Sequence, residues 1–312
     1  MSLKTSLFFS SALFLLFCCI SAAVPYALST DKTEYANTQI PDCSLKPPFS
    51  RACFVPEEFQ KPGLRGWILG VQKFTKKELS EDTKTNCWTY YFGTDRLGRD
   101  LYSRVIIGIR YTIVIALFSV LISFVLGIVL GSIAAYFGSW IDQMIHFIIS
   151  IVWSLPTILL ALAIIFSFGR SMGSICLAIG LTLWGDVARL VRSQIMSIKE
   201  LNYVKSCQAM GYLDWRIIIR HILPNILNSL LVLASSQFAL AILLESGLSF
   251  LGLGLQPPIP TLGNILQEQY VYIYTGQVSL ALFPALFVVL LILAFQIQTN
   301  YWRDANELRN IS

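Results

Sequence analysis

The chain has 312 residues, 55% of them hydrophobic and only 13% charged, with a mean hydropathy of +0.64. Soluble domains carry about 25% charged residues, so the composition points to an integral membrane protein rather than a soluble domain. The net charge of +5 is modest and its basic residues are divided among several loops, which argues against a nucleic-acid binder.

Six apolar stretches approach the ~20 residues needed to cross ~30 Å of hydrocarbon: 6–28, 111–135, 142–166, 172–192, 226–250 and 278–299. The first follows Lys4 and ends in small residues (ISAAV), so it reads either as a cleaved signal peptide or as an uncleaved anchor. The anchor is preferred because the topology described below closes only if this span stays in place.

Residues 29–104 are rich in Pro, Lys, Glu and Thr and read as one long, partly irregular extramembrane segment without the periodicity of an independent domain. They hold Cys43, Cys53 and Cys87. A Cys43–Cys53 disulfide is compatible with an extracytoplasmic location and leaves one cysteine over. No C-x-x-C occurs, so no zinc site is expected; Cys18, Cys19 and Cys176 lie in apolar stretches as small hydrophobes. In GTDRLGRD, Thr94 or Asp95 is expected to cap a short helix. Arg96, Arg99, Asp95 and Asp100 are expected to form a surface pair network of little individual worth. The stretch serves either to set the angle of the second span or to dock a partner.

In or beside the second span, Gly108, Gly127, Gly131 and Gly138 permit close helix approach, and Pro156 is expected to kink the third. Asp142 and Asp186 fall at span ends. Glu245 lies 19 residues beyond Ile226, about 28 Å along a helix. It is therefore expected near the outer face, reaching water, as a subunit contact or part of an outer gate. Charges buried in mid-membrane are lacking, which argues against an ion-coupled carrier.

The 193–225 loop carries Lys199, Lys205, Arg216 and Arg220, preceded by Arg189 and Arg192, whereas 255–277 has no Lys or Arg. By the positive-inside rule the first loop is cytoplasmic and the second outside. Both termini are then cytoplasmic and 29–104 is outside. Within 193–225 a helix is expected over Lys199–Met210, ended by Gly211 in the left-handed conformation. Asp214 is expected to cap a second short helix carrying Trp215, Ile217, Ile218, Ile219 and Arg220, and Pro224 to break it. Such a pair of short helices either lies on lipid or presents a knob to a partner.

Nucleotide machinery is not evident: no Lys follows a Gly, as a P-loop requires. The two histidines, His146 and His221, stand apart and without a ligand pattern, and no H-E-x-x-H appears. No catalytic, cofactor or metal residues are expected, and the chain is not expected to be an enzyme.

YVKSCQAMGYLDWRIIIRHILPN (Tyr203–Asn225) resembles the cytoplasmic signature of permease subunits of binding-protein-dependent ABC importers: Glu-Ala-Ala, three residues, Gly, then Ile-x-Leu-Pro further on. Gly211, Ile222, Leu223 and Pro224 match, while Lys205-Ser206-Cys207 replaces Glu-Ala-Ala and reverses a charge. FGTDRLGRDLYSRVIIGIR (Phe92–Arg110) and ESGLSFLGLGLQPPIPTLGNIL (Glu245–Leu266) are similar to segments of the C-type permeases for oligopeptides, dipeptides and nickel. The resemblance covers about residues 92–302.

It implies an all-α polytopic fold with six spans, in the inner (plasma) membrane. The implied partition is an anchor (1–28), an extracytoplasmic segment (29–104), a permease domain (105–302) and a cytoplasmic tail (303–312). Implied partners are a second homologous permease, two cytoplasmic ATPase subunits, an extracytoplasmic substrate-binding protein and the lipid bilayer. The coupling loop would involve Lys205, Ser206, Cys207, Ala209, Gly211, Asp214, Arg220, Leu223 and Pro224. Glu245, Asp95, Arg99 and Asp100 are candidates for an outer gate or subunit contact. Di- or oligopeptides are the expected cargo, with nickel second. The competing readings are an ATP-independent secondary transporter or channel, and a membrane-anchored scaffold or sensor built on 29–104.

Overall fold

The structure is a computed structural model in which residues 3–54, 64–70 and 86–311 are described. Expectations that fall on 55–63 and 71–85 lie outside the described residues.

In chain order the elements are α1 (Leu3–Ala23), α2 (Pro25–Leu28), β1 (Ser50–Phe54), α3 (Leu64–Leu69) and β2 (Asn86–Tyr90). Then come α4 (Leu101–Phe137), α5 (Ser139–Ser154), α6 (Thr157–Phe168) and α7 (Met172–Lys199). They are followed by α8 (Asn202–Ala209), α9 (Asp214–Ile217), α10 (Leu223–Phe250), α11 (Leu262–Gln269) and α12 (Val278–Ile311). Among the described residues five helices are long and apolar enough to cross a membrane, and six spans result if the bent pair α5–α6 counts as one. The all-α expectation holds.

The span limits differ from the sequence expectation in instructive ways. α4 has 37 residues, about 55 Å at 1.5 Å per residue, and so outruns the hydrocarbon by several turns. The expected kink at Pro156 is instead a break: α5 and α6 are bent by 97°. Proline lacks an N–H and pushes its predecessor out of the helical region, and Leu155 is extended at φ −95°, ψ 138°. The chain after 302, expected as a tail, continues α12 to Ile311.

The chain divides into two compact units. The first comprises residues 1–12, 115–244 and 292–312. Here α4 and α7 approach at glycines: a Cβ on Gly127 would lie 2.4 Å from Val187 Cβ, and one on Gly131 would lie 2.5 Å from the Ala188 carbonyl oxygen. Only a residue without a side chain permits this spacing. A buried polar bridge crosses the same region. Ser123 Oγ donates to Gln237 Oε1 at 2.8 Å, and Gln237 Nε2 donates to the Leu183 carbonyl at 3.0 Å. The span-end carboxylate of Asp142 is gripped by Arg192 through Nε (2.5 Å) and Nη2 (2.6 Å), the bidentate geometry that makes Arg–carboxylate pairs strong. The Arg189 guanidinium lies 3.2 Å over the Trp153 ring.

The second unit comprises 13–114 and 245–291. β1 and β2 pair antiparallel, in register from Ser50 opposite Tyr90 to Phe54 opposite Asn86. The segment after α1 is held by carboxylates. Asp31 accepts from the N–H and Oγ1 of Thr33 (2.9 and 2.7 Å) and from the N–H of Thr38 (3.1 Å). Ser103 Oγ accepts from the N–H groups of Thr30 and Asp31, both at 2.9 Å. Cys43 is a buried free thiol, so the expected Cys43–Cys53 bridge is not made.

Residues 94–100 overturn two further expectations. They form a turn, not a capped short helix. Asp95 binds the N–H groups of Leu97 (2.8 Å) and Arg99 (2.9 Å), while the cap of α4 is Asp100, which accepts from the Ser103 N–H at 3.2 Å. Arg96 is exposed, but Asp95, Arg99 and Asp100 are buried rather than on the surface. Asp95 pairs with Arg99 (2.5 Å) and Arg104 (3.1 Å), and both arginines reach Glu268 on α11, at 2.8 and 2.7 Å. Asp100 takes no part in that ion network; its Oδ2 accepts from Ser103 Oγ at 2.5 Å and from Thr30 Oγ1.

Candidate functional site

The hairpin between α7 and α10 lies wholly within the first unit. α8 is a single short amphipathic helix: Val204 and Cys207, three apart, are buried, while Lys205, Ser206, Gln208 and Ala209 face outward. It stops where expected. Gly211 has φ +76°, the left-handed conformation that only glycine adopts without strain. The Tyr212 N–H then bonds back to the Cys207 carbonyl at 3.2 Å.

Two expectations about the second half fail. Leu213, not Asp214, stands at the cap of α9 and makes no side-chain cap; Asp214 is the first helical residue. Its carboxylate instead accepts a 2.6 Å hydrogen bond from the Tyr136 hydroxyl at the end of α4. Pro224 does not break the helix. The chain stays helical from Asp214 to Phe250 by widening into a π turn at Ile218–Ile222, closed by the Leu223 N–H bonding to the Ile218 carbonyl. The wider turn accommodates a residue that has no N–H and whose ring would crowd the carbonyl four residues back.

The hairpin is anchored by its inner face. Val204, Cys207, Ile217, Ile222 and Ile226 pack in one buried cluster with Val187, Val191 and Ile195 of α7. Full burial of an aliphatic side chain is worth about 1.5–3 kcal/mol relative to exposure, so several together fix the hairpin as a rigid extension of α7 and α10. Its outer face is the opposite. Met210, Leu213 and Trp215 are 65%, 62% and 60% exposed, beside Tyr203 and Tyr212. Arg220 is exposed, His221 stacks on the Tyr212 ring, and Leu223 is half-buried against the cluster.

Lys205, whose charge is opposite to that of the signature's Glu, is answered from within the hairpin: its Nζ lies 2.9 Å from Glu200 Oε2. The hydrogen bond from Lys205, and then its charge, hold the Glu200 carboxyl below the usual range.

At the other candidate site, in the second unit, Glu245 does not reach water. It is 1% exposed. Thr112 Oγ1 donates to its Oε2 (3.1 Å) and Ser249 Oγ to its Oε1 (2.7 Å). Ser246 Oγ lies 3.4 Å from Oε2. The hydroxyls supply the donors that an isolated buried carboxylate would lack. Glu245 and the Asp95–Arg99 pair therefore belong to separate buried clusters, the first holding α4 to the end of α10 and the second holding α4 and the turn before it to α11. Sequence reasoning missed Arg104 and Glu268; nothing in their spacing, 164 residues apart, signals the pair.

The string Gly169-Arg170-Ser171-Met172-Gly173 carries the G-x-S-x-G spacing of a hydrolase nucleophile elbow. The preceding element is helix α6, not a strand, and Ser171 Oγ caps α7 by accepting from the Ser174 N–H at 3.1 Å. It is a helix cap. Among the described residues, no group of three or more His, Cys, Asp or Glu side chains could hold a metal ion.

The family model for the binding-protein-dependent transport system inner membrane component matches residues 127–304, which include the whole hairpin. The chain is 37% identical over 232 residues to the glutathione transport system permease protein GsiD of Pectobacterium atrosepticum, covering 74% of this chain and 76% of that one. To the dipeptide transport system permease protein DppC of Alkalihalophilus pseudofirmus it is 38% identical over 216 residues, covering 69% and 71%. To DppC of Bacillus subtilis it is 32% identical over 240 residues, covering 77% and 75%. A chain of the inward-facing MetNI methionine ABC transporter superposes with a TM-score of 0.52 at 19% identity, over 65% of this chain and 95% of that one, a likeness of fold. With its apolar helices and hairpin in the matched region, this chain belongs to the family of binding-protein-dependent transport system inner membrane components: it is a multi-pass permease subunit of the ABC importer type.

Proposed function

We propose that the chain forms half of the translocation path of an ATP-driven importer for short peptides, working with a second permease, two cytoplasmic ATPases and an extracytoplasmic binding protein. The reading of cargo rests on the relatives, whose names specify dipeptides and glutathione, itself a short peptide. Both termini and the hairpin lie on the cytoplasmic side in this reading, and 29–104 lies outside, as the basic-residue asymmetry of the loops suggests.

One observation carries the mechanical part: the hairpin buries one face in the core of α7 and α10 and leaves an apolar tip of Met210, Leu213 and Trp215 exposed. Exposed aromatic and Met anchors on a rigid base fit insertion into a groove on a partner. Closure of the ATPase pair would pull on the tip, and because the tip is continuous with two spans, the displacement would pass directly into the bundle. Lys205, Ser206, Cys207, Ala209, Gly211, Asp214, Arg220, Leu223 and Pro224 are the coupling residues in this scheme. Val204 and Cys207 act from the buried side; Lys205 and the tip act from the exposed side.

Gly211→Val tests it. A β-branched residue at φ +76° is strained, and the turn that aims the tip is lost. The expected result is membrane insertion at the normal level, with uptake and copurification of the ATPase both reduced at least tenfold. Solute movement by the purified chain alone in vesicles, without a nucleotide-hydrolysing companion, would overturn the proposal in favour of an autonomous carrier.

A further inference from the structure

The sequence leaves open which of Cys43, Cys53 and Cys87 are partners. The backbone narrows the choice. Cys43 is a buried free thiol, whereas the register of β1 and β2 sets Cys53 directly opposite Cys87. In an antiparallel pair, directly opposed residues have Cα atoms about 4.5 or 5.5 Å apart, according to whether the pair is non-hydrogen-bonded or hydrogen-bonded. Both spacings fall inside the ~4.4–6.8 Å window that a disulfide requires. Opposed residues also share a face of the pleated pair.

We propose that Cys53 and Cys87 form a cross-strand disulfide in the extracytoplasmic segment. The inference relies on the orientation given under Proposed function, since a disulfide persists on the oxidising side of the membrane. The two thiols lose two protons and two electrons as one S–S bond forms. The electrons pass by thiol–disulfide exchange to an extracytoplasmic disulfide-bearing oxidant, which leaves as its dithiol.

The bond would also answer a structural need. An isolated two-stranded ribbon is marginal by itself, and β1 and β2 are the only strands among the described residues. Yet β2 leads straight into the anchored turn, where Phe92 stacks on Phe283 (4.0 Å, 9°) and Thr94 Oγ1 accepts from the Lys46 N–H at 2.8 Å. A covalent clasp closing a loop of about 35 residues restricts the unfolded chain and keeps the ribbon in register at the base of that turn.

The test uses the full chain in native membranes from cells with an oxidising envelope. Free thiols are blocked with N-ethylmaleimide under denaturing conditions without reductant, and peptides are then identified by mass spectrometry before and after reduction. The expected result is a linked Cys53–Cys87 peptide pair with Cys43 alkylated; in Cys53→Ser, Cys87 becomes alkylated without reduction. Cys53 and Cys87 both alkylated before reduction, or either linked to Cys43, would overturn the proposal. A Gln39→Cys variant treated with a membrane-impermeant maleimide on intact cells reads orientation separately. Labelling from outside together with unlinked Cys53 and Cys87 rejects the disulfide alone. Failure to label from outside, with both thiols free, rejects the orientation and the disulfide with it.

Discussion

The Tyr136 hydroxyl, one residue from the end of α4, donates a 2.6 Å hydrogen bond to the carboxylate of Asp214 at the start of α9. The same tyrosine meets other parts of the hairpin region. Lys199 Nζ donates to its carbonyl oxygen at 2.7 Å and lies 4.9 Å from its ring centroid, and Gln208 Nε2 lies 3.4 Å from its hydroxyl. One residue thus ties the end of α7, through its carbonyl, and the hairpin, through its hydroxyl, to α4 by directed bonds, where the apolar cluster beneath supplies non-directional burial.

Tyr136→Phe removes the hydroxyl and keeps the ring under Lys199. The expected cost in stability is about 1 kcal/mol, a typical net value for one hydrogen bond. The expected functional effect is larger: ATP hydrolysed per solute imported should rise several-fold in proteoliposomes, because the directed bond from α4 to the start of α9 is then lost and the coupling between them loosened. Asp214→Asn, which still accepts from the hydroxyl, should stay near the wild-type ratio. An unchanged ratio in Tyr136→Phe would show that the apolar anchor suffices.

In the second unit, Glu268 is the acceptor shared by Arg99 and Arg104. Glu268→Ala leaves two buried guanidinium groups facing one carboxylate, Asp95. Removing one partner of a buried pair costs about 3–5 kcal/mol. Because Glu268 is partly exposed, the lower end of that range is expected, read as a fall in the thermal aggregation midpoint in mild detergent. Arg96→Ala, at an exposed position of the same turn, should leave the midpoint unchanged.

The contrast between Arg96 and Arg99 shows what the sequence carries and what it does not. The spans, the Gly211 turn and the basic hairpin were legible because each depends on local composition or on one residue's conformational freedom. The Pro156 break was legible as a site, but not as a 97° bend. Local pattern alone says how easily Pro leaves a helix, and packing decides the angle. At Asp214 and Pro224 the local propensity was overridden. A tyrosine 78 residues away claimed the carboxylate, and a π turn absorbed the proline. Arg99, Arg104 and Glu245 were misplaced or missed because partners of theirs, Glu268 and Thr112, lie more than 100 residues away in sequence; Asp95, whose partners Arg99 and Arg104 are near in sequence, was misplaced because charge by itself reads as exposure.

Asp100 gives a pH dependence of definite sign. Burial raises its carboxyl above the usual range, against the opposing effect of hydrogen bonds from Ser103 and Thr30, and its Oδ1 has no hydrogen-bond partner. A folded-state pKa above the unfolded value means that the folded chain binds the proton more tightly. This contribution is fully present below the unfolded value of about 4 and is lost as pH rises through the raised folded value. The expected result is a thermal midpoint that falls across that window in the wild type and is flatter in Asp100→Asn. A wild-type midpoint that rises over the same window would contradict the assignment.

The reversed charge at Lys205 admits two explanations that a charge swap separates. Either the ATPase partner supplies an acid to meet the lysine, or Glu200 already neutralises it within the hairpin, as the 2.9 Å contact indicates. If Glu200 is the relevant partner, Lys205→Glu sets two carboxylates against each other and should lower uptake at low salt, whereas Glu200→Lys combined with Lys205→Glu should restore it. Both side chains are solvent-exposed, so the deficit of the single variant should shrink as salt approaches ~1 M, where the screening length falls to about 3 Å. If the lysine instead meets an acid on the ATPase, the double swap stays as impaired as the single one and copurification of the ATPase falls in both. Uptake and copurification measured at two ionic strengths therefore assign the charge to the hairpin itself or to the interface.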